Sequence, residues 1–168
     1  MKQKEIETKQ KESAKMEYRH AQRDNYEDFA GGRVLYNIVG ATNFPVRLIN
    51  EIYGRCLEYS GKKADICLFD CCCGSGYSLT VLGFLNQQTI SKIIASDIDE
   101  KMLEIAKANL SLLSVNGIKR RIEEIRSLYQ KYKKESHLQA EKSAVKLMNL
   151  IQKEIEVQIF KANVFQDI

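Results

Sequence analysis

The segment from Leu68 to Gly76 constrains the fold more than any other part of the chain; it reads Leu-Phe-Asp-Cys-Cys-Cys-Gly-Ser-Gly. It follows an apolar run, residues 64–69, that predicts a short buried strand. It precedes residues 77–85, whose apolar spacing predicts an amphipathic helix. Glycines in the turn let the backbone bend sharply and let a ligand lie against it, because no Cβ stands in the way. Together with the unpaired N–H groups that open a helix, this pattern favours a nucleoside ligand at the carboxyl end of a strand.

The same strand–helix unit is repeated further along the chain. Residues 92–96 form an apolar run that ends at Asp97, and residues 100–113 carry apolar side chains at helical spacing. Residues 156–162 alternate apolar and polar side chains, which predicts a third strand near a sheet edge. Strands that alternate with helices indicate a parallel sheet with crossover helices, so we predict an α/β, Rossmann-like fold.

The flanking segments are of a different character. Residues 1–30 are rich in Lys, Glu and Gln and predict a charged N-terminal arm, helical or partly disordered. Residues 31–168 form the predicted domain, which starts with a strand or extended run over 33–40. A helix over 46–59 follows, with Pro45 in its first turn. Residues 119–154 predict a charged, mostly helical insertion, with a break near Ser136 and His137.

Composition excludes some classes of protein. No stretch approaches the roughly 18 apolar residues of a membrane span, and the polar N-terminus is not a secretory signal. Five cysteines, three of them consecutive, do not form a disulfide framework, so a reducing cytoplasm is the expected setting. The net charge of +4 permits a nucleic-acid partner without establishing one.

The charges around the turn distinguish between nucleoside ligands. A dinucleotide fingerprint would place a third glycine where Leu79 stands, and Asp70 would repel a pyrophosphate. S-adenosylmethionine carries no phosphate, and its sulfonium and amino groups are cationic, so the acid favours it. Asp97 follows Gly74 by about 20 residues, the offset typical of a carboxylate that accepts both ribose hydroxyls. Asn163, after the third strand, offers an amide oxygen to the adenine amino group, and a turn asparagine is the alternative.

Other residues have simpler interpretations. We expect no metal site at Cys71, Cys72 and Cys73, because three consecutive residues do not present their sulfurs to one tetrahedral ion. We expect these three small, weakly polar side chains to fill a tight turn. The remaining cysteines, Cys56 and Cys67, are expected in the core. Asp99 is expected to cap the helix that follows it. The two histidines are expected at the surface, and the lysines and arginines of 119–153 either touch RNA phosphates or form a solvated helical face.

Several motifs, taken together, closely resemble the avilamycin-resistance rRNA methyltransferase family over roughly residues 16–168. They are Tyr18-Arg19-His20, Asn43-Phe44-Pro45-Val46-Arg47-Leu48, Asp70 to Tyr77, Leu79 to Gly83, Ile94 to Asp99, and the charged helical stretch after Gly117. The resemblance implies a class I methyltransferase fold, S-adenosylmethionine as methyl donor, and a guanine of 23S ribosomal RNA as acceptor. It also implies a role for the chain in antibiotic resistance.

The resemblance assigns site residues by position. Those expected to hold the cofactor are Asp70, Cys71, Gly74, Gly76, Asp97 and Asn163, the last standing where the family has aspartate. Phe44 and Arg47 would lie over the methionine end of the cofactor, and Tyr18 and Arg19 would contact RNA. No catalytic residue is assigned, because the proline-containing loop that receives the target base in the family has no counterpart here.

The sequence therefore predicts the cofactor-binding portion of an rRNA methyltransferase, truncated after the third strand. We expect it to be a fragment, a shortened gene product or one half of a split enzyme, with a missing half or a partner chain that completes the sheet. A non-catalytic RNA-binding module that kept the fold is the alternative of a different class. A methyltransferase with a small-molecule substrate is a third possibility.

Overall fold

The computed structural model describes residues 18–38 and 42–166. Its elements, in chain order, are a short 3-10 helix (Glu27–Phe29), α1 (Val46–Ser60), β1 (Ile66–Asp70), α2 (Tyr77–Leu85), β2 (Ile90–Asp97), α3 (Glu100–Ser111), α4 (Val115–Tyr132), α5 (Glu135–Leu150) and β3 (Glu156–Lys161). The strands form one parallel sheet in the order β1-β2-β3. The predicted α/β architecture, with β3 at an edge, is confirmed. Among the described residues, no helix is long and apolar enough to cross a membrane.

The core lies on one face of this sheet. Side chains from alternate positions of β2, such as Ile93 and Ala95, are fully buried there. The opposite face is open in the described part of the chain: Cys67 is exposed, and the rings of Phe69 and Phe160 are 55% and 37% exposed. One side of the sheet is thus packed against helices, whereas the other still presents apolar side chains.

The helix that follows the glycine turn differs from the expectation. We predicted an amphipathic helix, but α2 is buried almost all round; its buried residues are Tyr77, Leu79, Thr80, Val81, Leu82, Gly83 and Phe84. A helix that is apolar on every side lies inside a domain rather than on its surface. Here α1 packs on one side of α2 and α3 on another, so little of its surface meets solvent.

Other expectations from the sequence were wrong in detail. Residues 33–38 contain turns and no strand, although Val34 and Leu35 are fully buried; residues 39–40 lie outside the described residues. The break in the charged helical stretch falls at Lys133, whose left-handed φ of 51° ends α4, and not near Ser136. Cys56 and Cys67 are exposed rather than in the core, because the one lies on the solvent side of α1 and the other on the open sheet face.

A buried carboxylate on α1 holds the described part of the N-terminal arm; residues 1–17 of that arm lie outside the described residues. Glu51 is 1% exposed, and its Oε2 accepts hydrogen bonds from the backbone N–H groups of His20 (2.7 Å) and Ala21 (3.0 Å). Its Oε1 accepts one from Arg55 Nε at 2.7 Å. Burial alone would raise the pKa of Glu51, but the N–H groups of residues 19–21 and the guanidinium stabilise the anion and lower it to about 2.

The first prediction concerns the pH dependence of this anchor. The pKa of Glu51 is about 2 in the folded chain against an ordinary value of 4.5, so its contribution to stability is complete above 4.5 and is lost as the pH falls toward 2. We expect Glu51→Gln to lower the thermal unfolding midpoint at pH 7. We expect the difference from the parent chain to shrink between pH 4.5 and pH 2.

The matched control is Glu58→Gln, which removes an exposed carboxylate on the same helix, the partner of Arg19 at 3.2 Å. An exposed ion pair contributes little, so its effect should be small at every pH. A deficit in Glu51→Gln that stays constant from pH 7 to pH 2 would contradict the assignment.

Candidate functional site

The turn after β1 is held by hydrogen bonds from several directions. The N–H of Cys72 donates to Asp70 Oδ1 at 3.1 Å, and the N–H of Cys73 donates to the carbonyl of Ser96, near the end of β2, at 3.0 Å. The N–H of Gly76 closes the turn on the carbonyl of Cys73 at 2.9 Å. The turn is therefore fixed at the carboxyl ends of two adjacent strands, where ligands bind in open α/β sheets.

The two glycines of the turn are required for different reasons, although both have positive φ. A Cβ on Gly76 would stand 3.1 Å from the Cα of Ala106, so this glycine lets α3 pack against the turn. A Cβ on Gly74 would meet nothing within 4 Å. The space above Gly74 is thus open, and the backbone there is accessible to a ligand.

Asp97, the last residue of β2, connects the turn to the rest of this edge. Its Oδ2 accepts a hydrogen bond from the Gly74 N–H at 2.8 Å, and its Oδ1 accepts one from the Asp99 N–H at 3.0 Å. Each carboxylate oxygen keeps a further lone pair, so Asp97 can still accept hydroxyl groups. Asp99 caps α3 by accepting a hydrogen bond from the Lys101 N–H at 2.8 Å, which confirms its expected role.

The second carboxylate at this edge is that of Asp70, the last residue of β1, which lies beside β2. Only its Oδ1 is engaged; among the described residues, its Oδ2 accepts no hydrogen bond. Two half-buried carboxylates beside an open glycine turn give this edge a negative potential. The site suits a ligand with positive charge and hydroxyl groups, and it disfavours a phosphate.

Asn163 lies just past β3, next to the edge that Asp97 occupies. The preceding residue, Ala162, donates its N–H to the Asp97 carbonyl at 3.1 Å, which brings the two strand ends together. Asn163 Oδ1 accepts a hydrogen bond from the Phe165 N–H at 3.1 Å, as in a turn. Asn163 therefore has the turn role that was the alternative expectation, and its contact with adenine stays a prediction.

Phe44 and Arg47, expected over the methionine end of the cofactor, lie at the start of α1. Phe44 is 60% exposed. Arg47 faces the N-terminal segment instead: its Nε donates to the Ala21 carbonyl at 3.1 Å, and its guanidinium stacks 3.9 Å above the ring of Tyr18. The cofactor role of Arg47 stays a prediction, and binding of the cofactor would have to compete with these two contacts.

The residues predicted to contact RNA, Tyr18 and Arg19, are both engaged within the chain. Tyr18 supports the guanidinium of Arg47, and Arg19 pairs with Glu58 at 3.2 Å. Both members of that ion pair are about half exposed, with side-chain exposures of 52% and 53%. An exposed pair of this kind is weak, so Arg19 can exchange its partner for a phosphate at small cost.

The three consecutive cysteines differ in environment. Cys71 and Cys72 are exposed, whereas Cys73 is buried beneath the turn. Burial, followed by the nearby carboxylates of Asp70 and Asp97, raises the pKa of Cys73 to about 12, so this thiol stays protonated at neutral pH. Among the described residues, no group of three His, Cys, Asp or Glu side chains is arranged to hold a metal ion. Cys73 fills the turn, and a cofactor contact at the exposed Cys71 stays a prediction.

Sequence reasoning missed one residue that touches the turn. Asn109 of α3 is fully buried, and its Nδ2 donates to the Ser75 carbonyl at 2.9 Å. The signal was present in the sequence, because Asn109 stands beside Leu110 and three residues after Ala106, on the apolar stripe of its helix. A polar residue at a core position needs partners, and this one finds them at the site.

A parallel sheet with a Gly-x-Gly turn after β1 and acids at the ends of β1 and β2 defines the class of Rossmann-like methyltransferases. Within that class, the family model described as rRNA methyltransferase AviRa matches residues 16–168. The chain belongs to this family.

Individual relatives agree with this assignment. A curated relative, the 23S rRNA (guanine(2535)-N(1))-methyltransferase of Streptomyces viridochromogenes, is 44% identical over 131 residues, which are 77% of this chain and 52% of the relative. Two solved structures of the rRNA methyltransferase AviRa from the same organism are 40% identical and superpose with TM-scores of 0.85 and 0.86. Each superposition covers 89% of this chain and 62% of the solved chain. The chain thus spans about half the length of the curated relative.

The second prediction concerns the reactivity of the cysteines. A thiol alkylates as its thiolate, and Cys73 is both buried and kept protonated. We expect iodoacetamide at pH 8 to label the exposed Cys56 and Cys67 well before Cys73, as read by mass spectrometry of the peptides. In denaturant all five cysteines should react at similar rates. Labelling of Cys73 in the folded chain as fast as that of Cys67 would refute the buried position.

Proposed function

We propose that this chain is the cofactor-binding portion of a methyltransferase that transfers a methyl group from S-adenosylmethionine to a guanine of 23S ribosomal RNA. Membership of the AviRa family and the printed activity of the Streptomyces relative support the reaction and the substrate. The observation that carries the cofactor assignment is the open Gly74 backbone beside two carboxylates, Asp70 and Asp97. Ribosomal RNA is cytoplasmic, which agrees with the free thiols of the chain.

The residues at this edge fit the parts of the cofactor. Asp97 would accept the ribose hydroxyls through the lone pairs that Gly74 and Asp99 leave free. Asp70, whose Oδ2 accepts no hydrogen bond from the described residues, would attract the amino group or the sulfonium above the turn. Asn163 would meet the adenine and Phe44 would cover the methionine end. When bound, the cofactor supplies an electrophilic methyl group, and the protein contributes by holding it in place for the attacking nitrogen.

The remainder of the domain is proposed to add strands beside β1 and a layer over the open sheet face. Two observations support this: β1 has no partner strand on its outer side among the described residues, and Phe69 and Phe160 are exposed. Unpaired strand edges and exposed rings are features that folded domains cover. We propose that this remainder, on the same polypeptide or on a partner chain, also supplies the loop that receives the guanine.

Contacts to RNA are proposed at the end of the α4–α5 hairpin, called here the hairpin tip and made of residues 129–134. Lys131 lies 5.1 Å from the ring of Tyr132, and Lys133 lies 5.4 Å from the ring of Tyr129. Tyr132 is 51% exposed and Tyr129 is half-buried. Lysines interleaved with accessible tyrosines combine attraction to phosphates with surfaces on which bases stack. The same feature supports the alternative function, a non-catalytic RNA-binding module, if the chain binds RNA but no cofactor.

The third prediction tests the cofactor site with a pair of neighbouring aspartates. Asp97→Ala removes the proposed ribose acceptor and the partner of the Gly74 N–H, so we expect the affinity for S-adenosylmethionine to fall at least about tenfold. Asp99→Ala removes only the cap of α3, at a cost of about 1 kcal/mol in stability, and should leave the affinity unchanged. Calorimetric titration of both variants with the cofactor measures the difference. Equal affinity of Asp97→Ala and the parent chain would eliminate the ribose assignment.

The fourth prediction tests the hairpin tip. Replacing Lys131, Lys133 and Lys134 together by Gln should weaken binding of a 23S rRNA fragment. It should also flatten the dependence of log K on log salt, by as much as about 2 units if all three lysines contact phosphates. A charge-matched control replaces Lys62, Lys63 and Lys153, which are exposed elsewhere. If both triple variants lose RNA affinity equally, binding is a matter of net charge and the tip has no special role.

A further inference from the structure

We propose that Asn109 is a positioning residue of the cofactor site, which locks the glycine turn to the peptide of Tyr36. The turn and residues 34–36 would then take one fixed relative position. The inference rests on the proposed cofactor function. It concerns a residue that touches neither the expected ribose position nor the expected adenine position, and so acts through the backbone groups that it holds.

The side-chain amide of Asn109 joins three backbone groups from two distant segments. Its Nδ2 donates to the Ser75 carbonyl at 2.9 Å and to the Tyr36 carbonyl at 3.0 Å. Its Oδ1 accepts a hydrogen bond from the Tyr36 N–H at 2.7 Å. The amide thus binds both polar groups of one peptide residue and, with its second donor, the turn. Only an amide of this length offers two donors and an acceptor in that arrangement.

The hydrogen bond from Asn109 to the Ser75 carbonyl bears directly on the shape of the glycine turn. Ser75 is buried and stands between the two positive-φ glycines, so the orientation of its peptide sets the direction of the backbone at Gly74 and Gly76. A buried carbonyl that loses its donor must turn to find another partner. Without the Asn109 amide, the same turn would therefore present its backbone to the cofactor in several orientations instead of one.

The segment around Tyr36 is also held by α4, so its position does not depend on the glycine turn alone. Arg121 Nε donates to the Val34 carbonyl at 2.8 Å, and its guanidinium lies 4.1 Å from the ring of Tyr36. The hydroxyl of Tyr36 donates to Glu124 Oε2 at 2.7 Å. Residues 34–36 are thereby clamped between α3 and α4, and Asn109 is the link from this clamp to the glycine turn.

The test replaces Asn109 by aspartate, which keeps the shape and the acceptor but loses the two N–H donors. A buried carboxyl that faces two carbonyls has a raised pKa. Below that pKa the neutral acid can donate one of the lost hydrogen bonds, whereas above it an anion faces both carbonyls. We expect Asn109→Asp to bind S-adenosylhomocysteine about tenfold more weakly than the parent chain at pH 8. We expect part of the loss to be recovered at pH 5.5, while the parent affinity stays flat.

Asn86→Asp is the matched control, because it makes the same replacement at an amide whose Nδ2 donates to Asn50 Oδ1 at 2.9 Å, at the end of α2 remote from the glycine turn. Its affinity should remain within about twofold of the parent at both pH values. If Asn109→Asp binds like the parent at pH 8, the inference is overturned while the proposed function stands. If the parent itself does not bind S-adenosylhomocysteine, the proposed function fails instead.

A measurement on the parent chain covers the case in which Asn109→Asp does not fold. Because the Tyr36 N–H donates to Asn109 Oδ1, ligand binding at the turn should slow hydrogen exchange at Tyr36 together with exchange at Gly74. Protection that reaches Gly74 but leaves Tyr36 unchanged would show that the two segments are not linked, and would overturn the inference.

Discussion

The hydrogen bond from the Gly74 N–H to the Asp97 carboxylate joins the ends of β1 and β2, and the candidate site is arranged around it. Because Asp97 accepts this bond at 2.8 Å, the glycine turn lies directly over the end of the neighbouring strand. The same carboxylate accepts the N–H of Asp99 at the turn into α3, and the backbone carbonyl of Asp97 accepts the N–H of Ala162 after β3. One residue, through its side chain and its backbone, therefore joins three strand ends.

The described part of the N-terminal arm, and residues 34–36 after it, are attached to the same framework by buried polar groups. Glu51 fixes residues 20–21 on α1, and Asn109 and Arg121 fix residues 34–36 between α3 and α4. Each of these side chains satisfies backbone groups that would otherwise be buried without partners, which is why removal of any one is costly. Both segments are in this way fixed parts of the domain.

Much of this architecture could be predicted from the sequence, because it depends on local patterns. The bounds of α2 matched, and so did the parallel order, the acids at the strand ends and the cap at Asp99, since apolar periodicity and glycine spacing directly reflect them. The contacts of Glu51 with residues 20–21, and of Asn109 with the glycine turn, could not be predicted, because they join residues 30 or more positions apart, and such pairings leave no local pattern. A break was predicted in the charged helical stretch, but its position at Lys133 was missed, because a left-handed lysine carries no signal of the kind that glycine or proline gives.

We propose that the carboxyl edge of the sheet, above Gly74, is preformed to bind the cofactor. An amide-resolved NMR titration of the labelled chain with S-adenosylhomocysteine tests this proposal. We expect saturable shifts concentrated at Gly74, Asp97, Asp99 and Asn163, with the amides around Lys62 and Asn86, at the other end of α1 and α2, left unchanged. Shifts centred on Lys62 and Asn86, or a folded chain whose amides do not respond at all, would contradict it.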